Sequence, residues 1–324
     1  MDGPPADSLV DAAPLAEFAV PVPPIPDRFH DVWRQLHYAA QVPVNLGKRW
    51  AVAHDDDSHT SLVYDDDAFA WVNSAADGSG PTLEALIDLQ RTTVTVARAD
   101  DAGVSETLQL DGLRLEDARD WLDEIAHALA DRPAKRPALP APDLPRHEVA
   151  TEGLFRFDDR RDETRAVDAC YTRTAEMLAR LVRMVEAADA GLSVAQLGVD
   201  LDAKSAKPVP CRLWPHHFDL ASLFVAKREE NDRPVRTIGV GLAPPDELER
   251  SGYFYVAPWT DDGSTPDEER FVKPPYGRWV WRAGEHLAVL PLRELWSLTD
   301  EADRGAATAN FIAAALTAAN HAIA

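Results

Sequence analysis

Cysteine, lysine and long apolar runs are scarce in this chain of 324 residues, and each scarcity removes a class of function. The two cysteines, Cys170 and Cys211, lie far apart among apolar neighbours, which excludes a cysteine-rich zinc site or a disulfide framework and assigns both to packing. No stretch approaches the ~18 consecutive apolar residues that span a bilayer, so no membrane partner is expected. The most apolar region, Phe311 to Leu316, is short and rich in alanine. The opening Met1-Asp2-Gly3-Pro4-Pro5 has neither the basic nor the apolar region of a secretory signal, and a cytoplasmic location is the expectation.

Positive charge is also sparse. The chain has 33 basic against 55 acidic residues and a formal net charge of -22. A surface with that excess repels a phosphate backbone, so nucleic acid is not an expected partner. The acidic runs Asp55-Asp56-Asp57 and Asp65-Asp66-Asp67 read as hydrated surface. Neither offers the alternating oxygen ligands, central glycine and distal glutamate of a calcium loop. There is no Walker loop, no Gly-x-Ser-x-Gly elbow and no His-Glu-x-x-His pair, and Gly239-Val240-Gly241 lacks the third glycine of a dinucleotide fingerprint.

What is present is the composition of a globular protein, 45% hydrophobic and 8% aromatic. Residues 1–26 carry seven prolines among alanine and aspartate, a pattern without a periodic apolar face, and read as a disordered tail. Residues 27–130 read as an N-terminal lobe. Phe29, Val32, Trp33, Leu36 and Ala40 recur at helical spacing, strands are expected at 50–54, 61–64, 68–72, 92–97 and 107–110, and a helix over 115–129 closes the lobe. The prolines at 133, 137, 140, 142 and 145 make 131–146 a linker. Residues 147–324 form the C-terminal lobe, with helices over 163–188 and 303–323 around strands near 211–214, 218–225, 237–242, 252–257, 278–281 and 286–290. The fold class is therefore α+β, two lobes each with an antiparallel or mixed sheet flanked by helices. The repeated order of helix, strands and helix permits an internal duplication.

Chemistry concentrates in Arg212-Leu-Trp-Pro-His-His-Phe-Asp219. In an extended strand His217 and Asp219 share a face while His216 points the other way, and the two imidazoles converge only if Pro215 bends the chain. His217 and Asp219 are the candidate catalytic pair, one acting as base and the other orienting it. His216, His217, Asp219 and Glu285 are the candidate ligands for a divalent metal, zinc or iron. His286, Asp246 and Glu247 are further candidates for a third ligand, and a role for the histidines in satisfying buried backbone groups stays open beside these. Arg212, Trp214, Tyr253, Tyr255 and Arg282 are candidate contacts to a small-molecule ligand. The alternating strands 252–259 and 278–282 place Tyr253, Tyr255 and Trp259, and then Trp279 and Trp281, on single faces. Such density builds either a core or a recognition platform.

The Trp214-Pro-His-His-Phe-Asp219 segment, the Gly239-Val-Gly241 turn with Pro244-Pro-Asp-Glu247, and Phe254-Tyr-Val-Ala-Pro-Trp259 resemble a group of uncharacterised bacterial proteins, domains of unknown function. Members of that group share a Trp-Pro-His-His-Phe-Asp segment and a later Tyr-Phe-Tyr-Val-x-Pro-Trp strand. The resemblance covers mainly residues 205–300 and implies relatedness without a catalytic role for any residue. The expected function is an enzyme acting on a small polar molecule through the His/Asp site. The alternative is a non-catalytic module that binds a small molecule or a protein through an aromatic surface.

Overall fold

A computed structural model describes residues 29–51, 58–65, 68–73, 82–130, 144–189, 209–230, 233–264, 266–282 and 285–323. The expected tail and most of the expected linker lie outside these residues. The fold class is α+β, with helices and antiparallel sheets. The chain packs as two compact units. One takes Pro24–Thr172 together with Arg212–Asp219, and the other takes Arg173–Cys211 and Leu220–Ala324.

The first unit opens with helix α1 (Phe29–Trp50), which runs on through Pro43. Burial explains why a proline is tolerated. Leu36, Tyr38, Ala39, Ala40, Val42, Val44 and Leu46 are all inaccessible, so tertiary packing around the whole helix outweighs the loss of one backbone hydrogen bond. Trp50, expected to begin a strand, is instead the last helical residue. Strands β1 (Leu62–Asp65), β2 (Ala68–Asn73), β3 (Leu83–Asp88), β4 (Thr93–Arg98) and β5 (Asp101–Gln109) pair antiparallel in sequence order. Helix α2 (Leu115–Ala130) lies on β3, β4 and β5 and against α1. An ion pair between Arg49 and the buried Asp123 joins the two helices.

Residues 145–160 also belong to this unit rather than to the C-terminal half. Their backbone is consumed there: Phe155 N–H donates to Leu113 O and its carbonyl accepts from Gly112, while Arg156 N–H donates to Gln35 Oε1. Tyr38 Oη donates to Pro145 O, and His147 Nε2 lies 2.9 Å from the Asp31 carboxylate. Helix α3 (Arg161–Asp189) follows. Strand β6 (Val209–Trp214) brings Arg212 and Leu213 alongside Val63 and Leu62 of β1.

The second unit holds an antiparallel sheet ordered β7-β8-β9-β11-β10, from β7 (Asp219–Arg228), β8 (Pro234–Ala243), β9 (Tyr253–Thr260), β10 (Arg278–Arg282) and β11 (Glu285–Pro291). This order differs from the sequential meander of the first unit. The short helix α4 (Leu292–Trp296) and the long α5 (Glu301–Ile323) complete it. Register assigns the faces, because cross-strand partners point the same way. Phe224, Ile238, Val240, Leu242, Phe254, Val256, Ala288 and Leu290 lie in register on one face and are buried. Helix α5 packs over β8, β9 and β11, and its alanines at 315, 318 and 319 permit close approach.

On the opposite face Gly239 and Gly241 interrupt the side chains, for unequal reasons. A Cβ at Gly241 would lie 2.4 Å from Leu220 O, whereas one at Gly239 would meet nothing closer than Tyr255 Cε2 at 3.7 Å. Gly241→Ala is therefore expected to destabilise the protein by at least about 2 kcal/mol, and Gly239→Ala to shift stability by less than about 1 kcal/mol. Urea unfolding of the two variants checks this, and equal losses would contradict it.

Candidate functional site

The candidate segment is not a continuous strand. Pro215 has no N–H for a ladder bond, and β6 stops one residue before it. Pro215 to Phe218 form a turn closed by Phe218 N–H donating to Trp214 O at 2.7 Å, and β7 starts at Asp219. Phe218 takes a left-handed conformation, φ 57°, which is uncommon for a bulky side chain and needs support from its surroundings.

That support comes from α1 and α3. Trp33, His37 and Gln41 stand four residues apart on one ridge of α1. Pro215 O accepts from Gln41 Nε2 at 2.7 Å and from His37 Nε2 at 2.9 Å. Tyr171 Oη donates to Phe218 O at 2.6 Å and accepts from Trp33 Nε1 at 2.7 Å. The Phe218 ring stacks on His37, with centroids 5.2 Å apart, and packs against Tyr171 at 5.1 Å. Every polar group in this knot is buried, so each bond satisfies a group that water does not reach.

The knot fixes the state of His37. A carbonyl oxygen only accepts, so Nε2 carries the proton and donates it. Burial holds the His37 pKa at about 4, below the ordinary 6.5, with the Pro215 and His216 backbone opposing the shift and the nearby His217 side chain adding to it. The ring is neutral at pH 7. The same burial lifts the Tyr171 hydroxyl well above its usual range, keeping it a donor. Both cysteines are buried thiols outside any disulfide, Cys170 pushed up to about 12 and Cys211 higher still, consistent with packing roles.

The expected common strand face for His217 and Asp219 is thus replaced. His217 lies in the turn and Asp219 begins β7, because Pro215 ends one strand and Phe218 reverses the chain. Pro215 does bend the chain, and His216 and His217 are both exposed on the turn while Asp219 is partly buried. Among the described residues no three His, Cys, Asp or Glu side chains gather where they could hold a metal. Glu285 opens β11 and Arg282 ends β10, and their side chains lie outside the described residues. Arg212 Nη1 donates to Ser61 Oγ at 2.8 Å, and Trp214 is half-buried. Tyr253 is buried with Oη donating to Asp246 Oδ2, and Tyr255 is half-buried beside Gly239. These two tyrosines belong to an apolar cluster with Ala243 and Val289.

The tryptophan strand is more open. Trp279 and Trp281 lie with their rings 5° from parallel and their centroids 6.2 Å apart. Phe271 packs against Trp279, Trp281 and His286 at 4.5, 5.3 and 4.9 Å. Trp279 Nε1 donates to Val272 O at 2.9 Å, which ties the preceding loop to the strand. Desolvation lowers the pKa of His286, with Glu268 opposing the shift. Val272 is 70% exposed and Trp281 38% exposed beside these packed rings.

Of the helix partners of the turn, the sequence marks Trp33 only as part of the apolar stripe; His37 and Gln41 continue its ridge at i+4 and i+8. Two outcomes test the knot. Tyr171→Phe removes a donor to Phe218 O and an acceptor for Trp33 Nε1 together, and is expected to cost roughly 2 to 4 kcal/mol in urea unfolding. The folded His37 pKa lies below the unfolded one, so its contribution is present above pH 6.5 and is lost as the pH falls towards 4, about 3 kcal/mol in all. His37→Gln keeps an N–H donor without the titration, and its stability is expected to fall less between pH 7 and about 4.5 than the parent's. Identical pH profiles for the two would refute the assignment. No protein-family model, curated protein or solved structure matches the chain, so its function is argued from the sites above alone.

Proposed function

We propose that the protein is a non-catalytic binding module that takes an extended segment of a partner polypeptide along β10. The observation that carries this reading is an edge strand centred on two tryptophans. β10 ends the sheet order β7-β8-β9-β11-β10, so alternate N–H and C=O groups of Arg278–Arg282 point away from β11. An exposed edge is a template for a further strand unless it is blocked. Short length limits indiscriminate pairing at this edge, while Trp279, Trp281 and the exposed Val272 offer apolar contact beside it. Backbone pairing of this kind supplies affinity, and side-chain contacts on alternate residues supply specificity.

The chemistry of the partner follows from the rim. Lys273 is exposed, and Arg278 is 44% exposed at 3.6 Å or more from its carboxylate neighbours Glu249 and Glu294. These two cations, set among carboxylates, can meet acidic positions of an extended segment that alternates acidic and apolar residues. The histidines of the 215–218 turn serve a different end in this reading. The turn is a folding element, and its exposed imidazoles are not joined by a third ligand among the described residues.

A synthetic library of heptapeptides alternating acidic and apolar positions provides the test, read by backbone hydrogen exchange. A subset of peptides is expected to protect amides of Arg278–Arg282, and Trp281→Ala to weaken their binding about tenfold, the scale of one lost aromatic anchor. If no peptide protects β10, or the alanine variant binds equally well, the reading fails.

A further inference from the structure

A second site lies in the first unit, and it is independent of the β10 edge. A cleft of 620 Å³ opens beside the turn between β3 and β4 and the start of α3. Its walls include Arg91 from the turn and Arg161 and Arg165 from α3, with Thr93 and Thr164 also in the lining. Asp158 is the one carboxylate in the lining, so the walls carry three cations against one anion in a chain of net charge -22. Each arginine also has an aspartate neighbour, so what the cleft offers an anion is guanidinium N–H groups on two walls and not a net positive charge.

Each arginine has an aspartate partner. Asp88 receives both Arg91 N–H and Arg91 Nη1, at 2.7 and 2.8 Å, and Asp158 receives Arg161 Nη2 at 2.8 Å. Arg165 Nη1 lies 3.5 Å from Asp162. Asp88 and Asp162 orient their arginines from outside the lining. These are exposed pairs three residues apart, weak in themselves, and each uses only part of a five-donor guanidinium. Arg161 and Arg165 are one helical turn apart and share a side of α3.

The walls are built as well as charged. Thr92 has φ 54°, a strained conformation for a β-branched residue, and Gln109 Nε2 pins it through Thr92 Oγ1, Thr92 O and Arg91 O. On the other side the Asp111 carboxylate accepts the N–H groups of Phe157 and Asp158, and the buried Phe157 stacks on Phe155. A strained turn and a braced loop thus frame the cleft.

We propose that this cleft binds a small organic phosphate, a phosphate monoester, through Arg91, Arg161 and Arg165. A single carboxylate is satisfied by one guanidinium fork, whereas a dianionic phosphate with three terminal oxygens matches three guanidinium groups approaching from two walls. Gln90 and Thr93 in the lining suit the polar remainder of such a molecule.

Calorimetric titration of the full chain with phenyl phosphate at constant ionic strength tests this, with succinate and sulfate as competing dianions. Phenyl phosphate is expected to bind, to weaken as chloride is raised, and to lose at least about tenfold in affinity in the R161A/R165A double variant and in R91Q. The three arginine side chains are exposed, so the variants are expected to keep the parent's thermal midpoint, and W281A to bind phenyl phosphate as the parent does. No heat up to about 10 mM ligand, or unchanged affinity in folded arginine variants, would overturn the site. Tighter binding of succinate or sulfate than of phenyl phosphate would overturn the phosphate assignment.

Discussion

One buried carbonyl organises the first unit of this protein. Pro215 O sits where water does not reach, and a buried acceptor without donors costs more than a hydrogen bond returns. Two neutral side chains of α1, His37 and Gln41, supply the donors. With that carbonyl fixed, Phe218 is held left-handed under His37 and Tyr171, and Trp33 completes the chain of bonds through the Tyr171 hydroxyl. This is why Arg212–Asp219, drawn from the second half of the sequence, folds as part of the first unit. The arrangement needs a neutral imidazole, and burial provides one.

Local sequence carried much of the element layout. Helix α2 was expected over 115–129 and spans Leu115–Ala130, because Ala118, Leu122 and Ala126 repeat on one face. The strands of the second half lie within a few residues of expectation, where Gly252, Gly277 and the prolines punctuate them. Strand β3, Leu83-Glu-Ala-Leu-Ile-Asp88, went unread because leucine, glutamate and alanine are helix formers whose strand character appears only through pairing with β2 and β4. Helix α1 shows the converse, running past Ala40, the last residue of its apolar stripe, and through Pro43 because burial outweighs the local signal to stop.

The candidate site was legible as a place and not as a geometry. Arg212 to Asp219 is a structural focus, yet the decisive partner, His37, stands 178 residues before Pro215 and leaves no trace in local spacing. The expected pairing of His217 with Asp219 presupposed an extended chain, and that presupposition fails at Pro215. The tryptophans of β10 were visible as an alternating strand, but only the sheet order makes it an edge. The arginine cleft had no sequence signature, because Arg91 and Arg161 are brought together by folding and each sits beside an aspartate that makes it look like ordinary surface. Buried aromatic and polar groups hold the turn, while Trp281 and the arginines of the cleft are exposed.

The account depends on His37 being a neutral donor to Pro215, and ring-nitrogen NMR of the histidines in the intact protein measures this directly. His37 is expected to show the Nε2–H tautomer from neutral pH down to about pH 5, protonating only near 4. An imidazolium at pH 6, or an Nδ1–H tautomer at pH 7, would contradict it.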